Sequence, residues 1–484
     1  MERPTTPIPG PDEHVAVLGL GVSNRAVARY LLDRGIRPRY YDRKPAASVD
    51  LAAFGEDPGD RFHGGPDYLD RFAQDGAARP FDWIFVTPGM PKDLPELRDA
   101  AAAGARLTGE MSLFMNLCPA PMIGITGSAG KTTTASLTAH FLRTGERRIW
   151  LGGNIGEPLL HRLGEIGDDD LVVLELSSFQ LELAERVPAS AAVLNLSPDH
   201  LDVHGDAASY YRAKSRLVTQ QQPGDTLLLN WDCPRTRALA RESPARVRFF
   251  SVCGGRDIED TDGVVAYAVG DDLRARWRGR DVLLMSSASL GLRGEHNRAN
   301  FLAAATLALD WGVAPETIRR EMEDFRLPPH RLEEVDRVEG VRFVDDSIAT
   351  SPPRTRAALV SYSAPLVVIL GGYDKGVAFG DLAADVAGGI GAGRIRAAVV
   401  TGACGERLAA ALEIAGAPAG SVDRREGFED AFAAAVDRTR PGDVVLLSPG
   451  CASFDAFENY RARGQYFKEL VANLKGEDRP EGLH

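Results

Sequence analysis

The segment Thr126-Gly127-Ser128-Ala129-Gly130-Lys131-Thr132-Thr133 leaves this chain few ways to fold. An apolar run, Met122–Thr126, leads into it, and a helical pattern begins at Thr132. A glycine-rich turn between a buried strand and a helix lets backbone N–H groups converge on an anion at the helix start. Such a unit belongs to a parallel α/β sheet. Lys131 can reach the outer phosphates of a nucleotide, and the Thr132 hydroxyl can take a ligand position on magnesium. The common phosphate loop has its first glycine where this chain has Ile125. The plain alternative is a glycine-rich turn with a solvated lysine, and the position between strand and helix favours the nucleotide. Gly127, Ser128, Ala129, Gly130, Lys131, Thr132 and Thr133 are therefore candidate ATP-binding residues.

The rest of the chain repeats the alternation of short apolar runs and helical patterns. With 484 residues it has room for roughly three or four domains of about 150 residues. A first unit is expected from the strand Val15–Leu18, the turn Gly19-Leu20-Gly21, a helix from about Ser23 to Asp33, the strand Arg39–Tyr41 ending at Asp42, and the strand Trp83–Val86 running into Thr87-Pro88-Gly89. Pro119–Pro121 reads as a linker. In the second unit the phosphate loop is followed by strands Leu171–Leu174 and Ala192–Leu196, a β-rich stretch from Thr226 to Met285, and a helix Asn297–Leu309. After Pro328-Pro329 a third unit carries strands Arg342–Val344, Leu366–Leu370, Ala397–Val400 and Val444–Leu447, an open α/β sheet. The polar tail after Lys475 is expected to be loose. The expected boundaries are 1–120, 121–326 and 327–484.

Ligands of open α/β sheets gather outside the carboxyl ends of the strands. Glu175 ends one strand of the second unit, and His200 follows another in Asp199-His200-Leu201-Asp202. Lys131, Glu175 and His200 then meet at one crevice. A carboxylate beside a triphosphate needs a cation between them, which implies Mg²⁺. Singly, each has a bland reading, a capping glutamate or a structural histidine. Lys214, on a helix expected over Tyr210–Val218, reads from spacing alone as a solvated lysine. Asn297 opens an Ala-rich helix, where it is either a first-turn polar residue or an amide facing an adenine edge. Gly19-Leu20-Gly21-Val22-Ser23-Asn24 is like a dinucleotide turn, with Asn24 in place of its last glycine. It favours a diphosphate on a helix start rather than NAD. In the third unit, Asp345–Thr350, Gly371–Gly376 and Ser448–Ser453 each end a strand with polar residues, which together suggest a ligand crevice.

Net charge is −12, from 56 basic and 68 acidic residues, which argues against a nucleic-acid binder. Hydrophobic residues at 44% with 26% charged fit a globular protein. The five cysteines form no C-x-x-C pair, so neither a zinc cluster nor a disulfide framework is expected, and a reducing compartment fits. No apolar run is long enough to span a bilayer, and Met1–Pro11 lacks the apolar core of a signal peptide. A cytoplasmic protein is expected.

Thr126–Thr134, Gly152-Gly153-Asn154-Ile155-Gly156, Glu175–Gln180, Asp199–Asp202, Tyr211–Lys214, His296–Asn300, Pro329-His330-Arg331 and the three strand-end segments occur in an order that resembles the Mur ligases, from about residue 14 to about residue 470. Glu175–Leu181 and Ser448–Asn459 are most similar to the glutamate-adding branch. The resemblance implies three domains: a Rossmann-like domain for the uridine diphosphate of a precursor, a central phosphate-loop ATPase with a parallel sheet plus a small β region, and a Rossmann-like domain that closes over ATP and holds the incoming amino acid. It implies a cytoplasmic monomer using ATP and two Mg²⁺ ions to join UDP-N-acetylmuramoyl-L-alanine to D-glutamate in peptidoglycan synthesis, through an acyl phosphate, with release of ADP and phosphate.

On that resemblance, Gly21, Val22, Ser23, Asp42, Thr87 and Gly89 lie at the uridine nucleotide. Lys131, Thr132, Glu175 and His200 serve phosphates and metal, and Asn154 serves the precursor or those phosphates. Lys214 is carried as a carbamate that ligates metal, so the catalytic set is Lys131, Glu175, His200 and Lys214. Asn297, Asn300, Arg331 and Asp346 contact the adenosine or its phosphates. Thr350, Lys375, Ser453 and Tyr460 hold the glutamate carboxylates. Ile348, Ser351, Phe454 and Tyr460 stand where the family commonly has Lys, Asn, Leu and Phe, all at the amino-acid end. The alternatives carried alongside are a ligase adding L-glutamate or another amino acid, a folate-extending ligase, a non-catalytic precursor sensor, and an NAD-dependent dehydrogenase.

Overall fold

The computed structural model describes residues 8–46, 49, 59–198, 201–253, 263–292, 294–326, 329–374 and 377–474. Asp199, His200, Lys375 and the tail from Lys475 lie outside the described residues. The chain divides into two compact units, Met1–Phe325 and Arg326–His484. Among the described residues no helix is long and apolar enough to cross a membrane.

The first unit holds two sheets. Strands β1 (Val15–Leu18), β2 (Arg39–Asp42), β3 (Phe62–Gly64), β4 (Trp83–Val86) and β5 (Arg106–Thr108) form a parallel sheet in the order β3-β2-β1-β4-β5. The order reverses at β1, so the turns after β1 and β4 lie side by side. This is where an open sheet leaves a crevice.

The second sheet contains β6 (Met122–Thr126), β7 (Ile149–Gly153), β8 (Leu171–Glu175), β9 (Ser190–Val193), β10 (Thr226–Asn230), β11 (Arg246–Ser251), β12 (Val264–Val269), β13 (Asp272–Trp277) and β14 (Arg280–Ser286). Its order is β14-β13-β12-β11-β10-β9-β6-β8-β7, parallel from β7 to β12 and antiparallel through the β12-β13-β14 meander. The central strands β6, β8 and β9 are buried along their whole length, as strands covered on both faces must be. One hydrophobic cluster runs from Val17 and Phe114 to Leu174 and Leu227, so the two sheets share a core. The strand expected at Ala192–Leu196 pairs only as Ser190–Val193. Beyond Val193 the chain turns its hydrogen bonds to the phosphate loop: Ser128 N donates to Asn195 O at 2.9 Å.

The second unit is a six-stranded sheet of β15 (Glu333–Val338), β16 (Val341–Asp345), β17 (Leu366–Gly371), β18 (Ile395–Thr401), β19 (Val422–Arg424) and β20 (Val444–Leu447), in the order β15-β16-β20-β17-β18-β19. All pairs are parallel except the β15-β16 hairpin. Two hydrophobic clusters, around Val368 and Leu446 on one face and Phe343 and Phe467 on the other, cover both sides. The three polar strand ends noted in the sequence sit on neighbouring strands β16, β20 and β17.

Candidate active site

In the first unit the phosphate loop leaves β6 and enters the helix Lys131–Leu142. Gly130 has φ +85°, and a Cβ there would collide with Asn300 Oδ1, so glycine is required twice over. The loop is held from three directions. Ala129 N donates to Asn195 Oδ1 at 2.8 Å, while Asn195 Nδ2 donates to Ala129 O at 2.9 Å. Ser128 Oγ donates to Ser197 O at 2.8 Å. Tyr210 donates its hydroxyl to Ser128 Oγ at 3.0 Å.

Lys131 is buried, and its Nζ donates to Gly127 O at 2.8 Å and Ser128 O at 3.2 Å. Lys214 is not a solvated lysine: it is 1% exposed, and its Nζ donates to Gly127 O at 3.0 Å and Thr126 Oγ1 at 3.3 Å. The helix Ala207–Thr219 buries Tyr210, Ala213, Lys214, Leu217 and Val218, so Lys214 lies on its inward stripe. Glu175, at the end of β8, accepts from the Thr132 hydroxyl at 2.7 Å through Oε2 and from Asn154 Nδ2 at 3.0 Å through Oε1. Asn154 is presented because Gly153 passes so close to the Glu175 backbone that any side chain would strike the Glu175 carbonyl. On the helix Glu295–Asp310, Asn300 accepts from Thr134 Oγ1 at 3.3 Å and donates to Asn297 Oδ1 at 3.1 Å. The structure thus brings together Lys131, Thr132, Glu175, Asn154 and Lys214, with Asn297 and Asn300 beside the start of the loop helix.

A second cluster lies at the switch point of the first sheet. Gly21 caps the helix Val22–Leu32 at its start, and Val22 is exposed. The Asp42 carboxylate accepts from Leu20 N at 2.6 Å and Lys44 N at 2.8 Å, so it shapes the turn as well as facing the crevice side of the strands. Asn24 does the work of the missing glycine differently: buried, it donates to Leu18 O at 2.9 Å and Gly19 O at 2.8 Å. Sequence reasoning missed Lys92, whose Nζ donates to Pro88 O and Met90 O, both at 2.6 Å, and fixes the Thr87–Met90 turn. Burial pulls its pKa down to about 8, partly opposed by Glu182.

In the second unit the strand ends of β16, β17 and β20 are stitched together. Asp346 accepts from Ser448 Oγ at 2.8 Å and Leu332 N at 3.2 Å. Burial raises its pKa to about 7 against the opposing charges of Arg331 and Arg354. His330 Nδ1 lies 2.7 Å from Asp345 Oδ2. Thr350 follows directly on this loop, Ser453 is buried after β20, and Tyr460 opens the last helix, where its carbonyl accepts from Ser347 Oγ at 2.8 Å. Arg463 carried no signal in the sequence. It is buried, and its guanidinium donates to Ser347 O and Oγ, both at 3.0 Å, and to Ala452 O and Cys451 O, both at 3.1 Å. One side chain therefore ties the loop after β16 to the loop after β20.

Oxygen donors dominate the Thr132–Glu175 pair, the chemistry suited to a hard divalent ion such as Mg²⁺.

Two family models match this sequence: the Mur ligase middle domain over residues 125–308, and the Mur ligase glutamate ligase domain over residues 330–451. A UDP-N-acetylmuramoylalanine–D-glutamate ligase of Symbiobacterium thermophilum is 41% identical, covering 96% of this chain and 98% of its own. One of Clostridium novyi is 38% identical, covering 96% and 97%. The crystal structure of the UDP-N-acetylmuramate-alanine ligase MurC from Thermotoga maritima aligns with a TM-score of 0.57 at 17% identity, over 95% of this chain and 99% of that one, a likeness of fold.

Proposed function

This chain belongs to the Mur ligase family, and we propose that it joins D-glutamate to UDP-N-acetylmuramoyl-L-alanine at the expense of ATP in peptidoglycan synthesis. The observation that carries this reading is the cluster Lys131, Thr132, Asn154, Glu175 and Lys214 around one phosphate loop. Near-full-length relatives that bear the name of that activity support the choice of substrates.

A free carboxylate is a poor acyl donor. Transfer of the γ-phosphoryl group of ATP to the alanyl carboxylate gives an acyl phosphate and ADP. The glutamate amine then attacks the acyl carbon, a C–N bond forms, and phosphate leaves. The first step brings two anions together. Lys131, held at the mouth of the loop by Gly127 and Ser128 carbonyls, offsets that repulsion and stabilises charge on the group in transfer. Thr132 and Glu175, with His200 and a carbamylated Lys214, would hold Mg²⁺. When bound, the two ions neutralise phosphate charge. Asn154 is aimed by its hydrogen bond to Glu175 and serves the precursor.

We read residues 1–120 as the precursor domain, with Gly21, Val22, Ser23, Asp42, Thr87 and Gly89 at the uridine nucleotide. Residues 121–326 are the ATPase domain, with Asn297 and Asn300 at the adenosine. Residues 327–484 supply Arg331 and Asp346 for the nucleotide, and Thr350, Lys375, Ser453 and Tyr460 for glutamate. The protein acts as a cytoplasmic monomer.

Incubation with ATP, Mg²⁺, the alanyl precursor and an equimolar mixture of D- and L-glutamate tests the reading. Stoichiometric ADP, phosphate and D-glutamyl amide are expected. AMP with pyrophosphate would overturn the acyl-phosphate route, and an excess of L-glutamyl product would overturn the choice of enantiomer. Ile348→Lys then separates roles: a change in ATP affinity alone assigns position 348 to the nucleotide, and a shift in the D/L ratio assigns it to glutamate.

A further inference from the structure

The nine-stranded sheet has a second ligand-sized concavity, at the end opposite the phosphate loop. Thr226 and Arg246 are the first residues of β10 and β11, which run parallel to β9 and β6. Their starts therefore lie on the edge away from Thr126 and Glu175, which end β6 and β8. A cavity of about 370 Å³ opens there, with Arg246, Arg248, Arg276, Trp277, Arg278 and Asp310 in its lining. The helix Glu295–Asp310 spans the distance between the two ends. Asn297 and Asn300 stand near its start, while Thr306, Leu309 and Asp310 line this cavity. At a rise of 1.5 Å per residue, Asn297 and Asp310 are separated along the helix by roughly 20 Å.

Four guanidiniums and one carboxylate line the cavity, on a chain whose net charge is −12. Crowded like charges repel, and the single lining carboxylate offsets only part of that repulsion. Asp310 is engaged by Arg248. Asp281, opposite Arg276 across the β13-β14 hairpin, accepts from Arg274 at 2.9 Å and from the Tyr267 hydroxyl at 3.1 Å, and Arg276 itself lies over the Tyr267 ring, 5.8 Å from its centre. The Arg278 guanidinium lies 4.3 Å from the centre of the Trp277 ring. Burial and the charge of Arg246 both disfavour the protonated form of Arg248.

The turn itself adds an independent observation. Arg278 and Gly279 have φ of +50° and +74°, the two left-handed residues of a tight hairpin. Gly, Asn or Asp suits the first of these positions, and another L-residue there is strained. The chain places arginine in that position, beside three more.

We propose that this cavity is a binding site for a small polyvalent phosphate, held by Arg246, Arg248, Arg276 and Arg278 and distinct from the phosphate loop. Guanidinium forks match phosphate oxygens, and several together suit a ligand with more than one phosphate.

Isothermal titration of the full chain with inorganic tripolyphosphate, in the presence of saturating ADP and Mg²⁺, tests this. The wild type is expected to bind one tripolyphosphate that ADP does not displace. Arg246→Ala with Arg278→Gly should weaken that binding about tenfold or more and leave ADP affinity unchanged. Arg278→Gly relieves the strained turn, so an undiminished melting temperature accompanies the loss. Unchanged affinity in the double variant would overturn the site, as would a wild-type signal fully displaced by ADP. If ADP itself fails to bind, the nucleotide reading of the phosphate loop falls, while the tripolyphosphate titration still reports on this cavity. A parallel titration with GDP distinguishes a nucleotide from an inorganic source: quenching of Trp277 fluorescence, lost in Trp277→Leu, marks a stacked base.

Discussion

Lys131 and Lys214 donate to the same carbonyl oxygen, that of Gly127, at 2.8 and 3.0 Å. Two buried ammonium groups on one acceptor repel each other. Addition of carbon dioxide to the neutral amine of Lys214, with loss of a proton, would replace that repulsion with attraction and supply an oxygen ligand for metal. Lys214→Ala is expected to lose about 10²-fold or more in kcat, in the range of other lost electrostatic groups. Acetate or formate should restore part of it. Full activity without rescue would refute the carbamate.

With Lys131 in its proposed role at the transferring phosphoryl group, Lys131→Ala should likewise lower kcat about 10²-fold or more. Circular dichroism should show an intact fold. A near wild-type kcat would place Lys131 away from the reacting phosphate.

Gly130→Ala should both destabilise the first unit and weaken nucleotide binding. The left-handed backbone at Gly130 costs an alanine about 1–2 kcal/mol, and its methyl group meets Asn300. Adding Asn300→Ala removes the collision but not the backbone cost, so thermal melts of the single and double variants separate the two effects.

Asp346 gives a pH signature. Its folded pKa is raised from 3.8 to about 7, chiefly by burial. Between these values the folded state binds more protons than the unfolded one, so this group's contribution to stability is full below pH 3.8 and is lost as pH rises through about 7. Denaturant titrations across that window should show a steeper fall in stability for the wild type than for Asp346→Asn. Equal slopes would mean that Asp346 does not titrate there.

Some of this was plain in the sequence and some was not. The strand, loop and helix around Thr126–Leu142 were legible because glycine spacing and apolar runs are local signals. The three strand ends of the second unit were legible individually, yet their order across the sheet, β16-β20-β17, depends on long-range pairing. β15, with its sequence EEVDRV, has no apolar alternation because it is an edge strand, with Glu334 and Arg337 exposed. Spacing and pattern were silent on Lys214, which only the family resemblance named, and on Arg463, for one reason. A buried charge is revealed by what lies across from it, here the Gly127 carbonyl for one and the Ser347, Cys451 and Ala452 carbonyls for the other. Neither partner is a sequence neighbour.

The reciprocal amide pair between Ala129 and Asn195 has a kinetic meaning. Ala129 is exposed at the tip of its loop, where a main-chain proton would ordinarily trade with solvent quickly. Here that N–H is committed to Asn195 Oδ1 at 2.8 Å. The loop thus has its shape before any nucleotide arrives, and little conformational entropy remains to be lost on encounter. Amide hydrogen exchange at Ala129 should be slow in the free protein and should become fast in Asn195→Ala, with nucleotide arrival slowed in step.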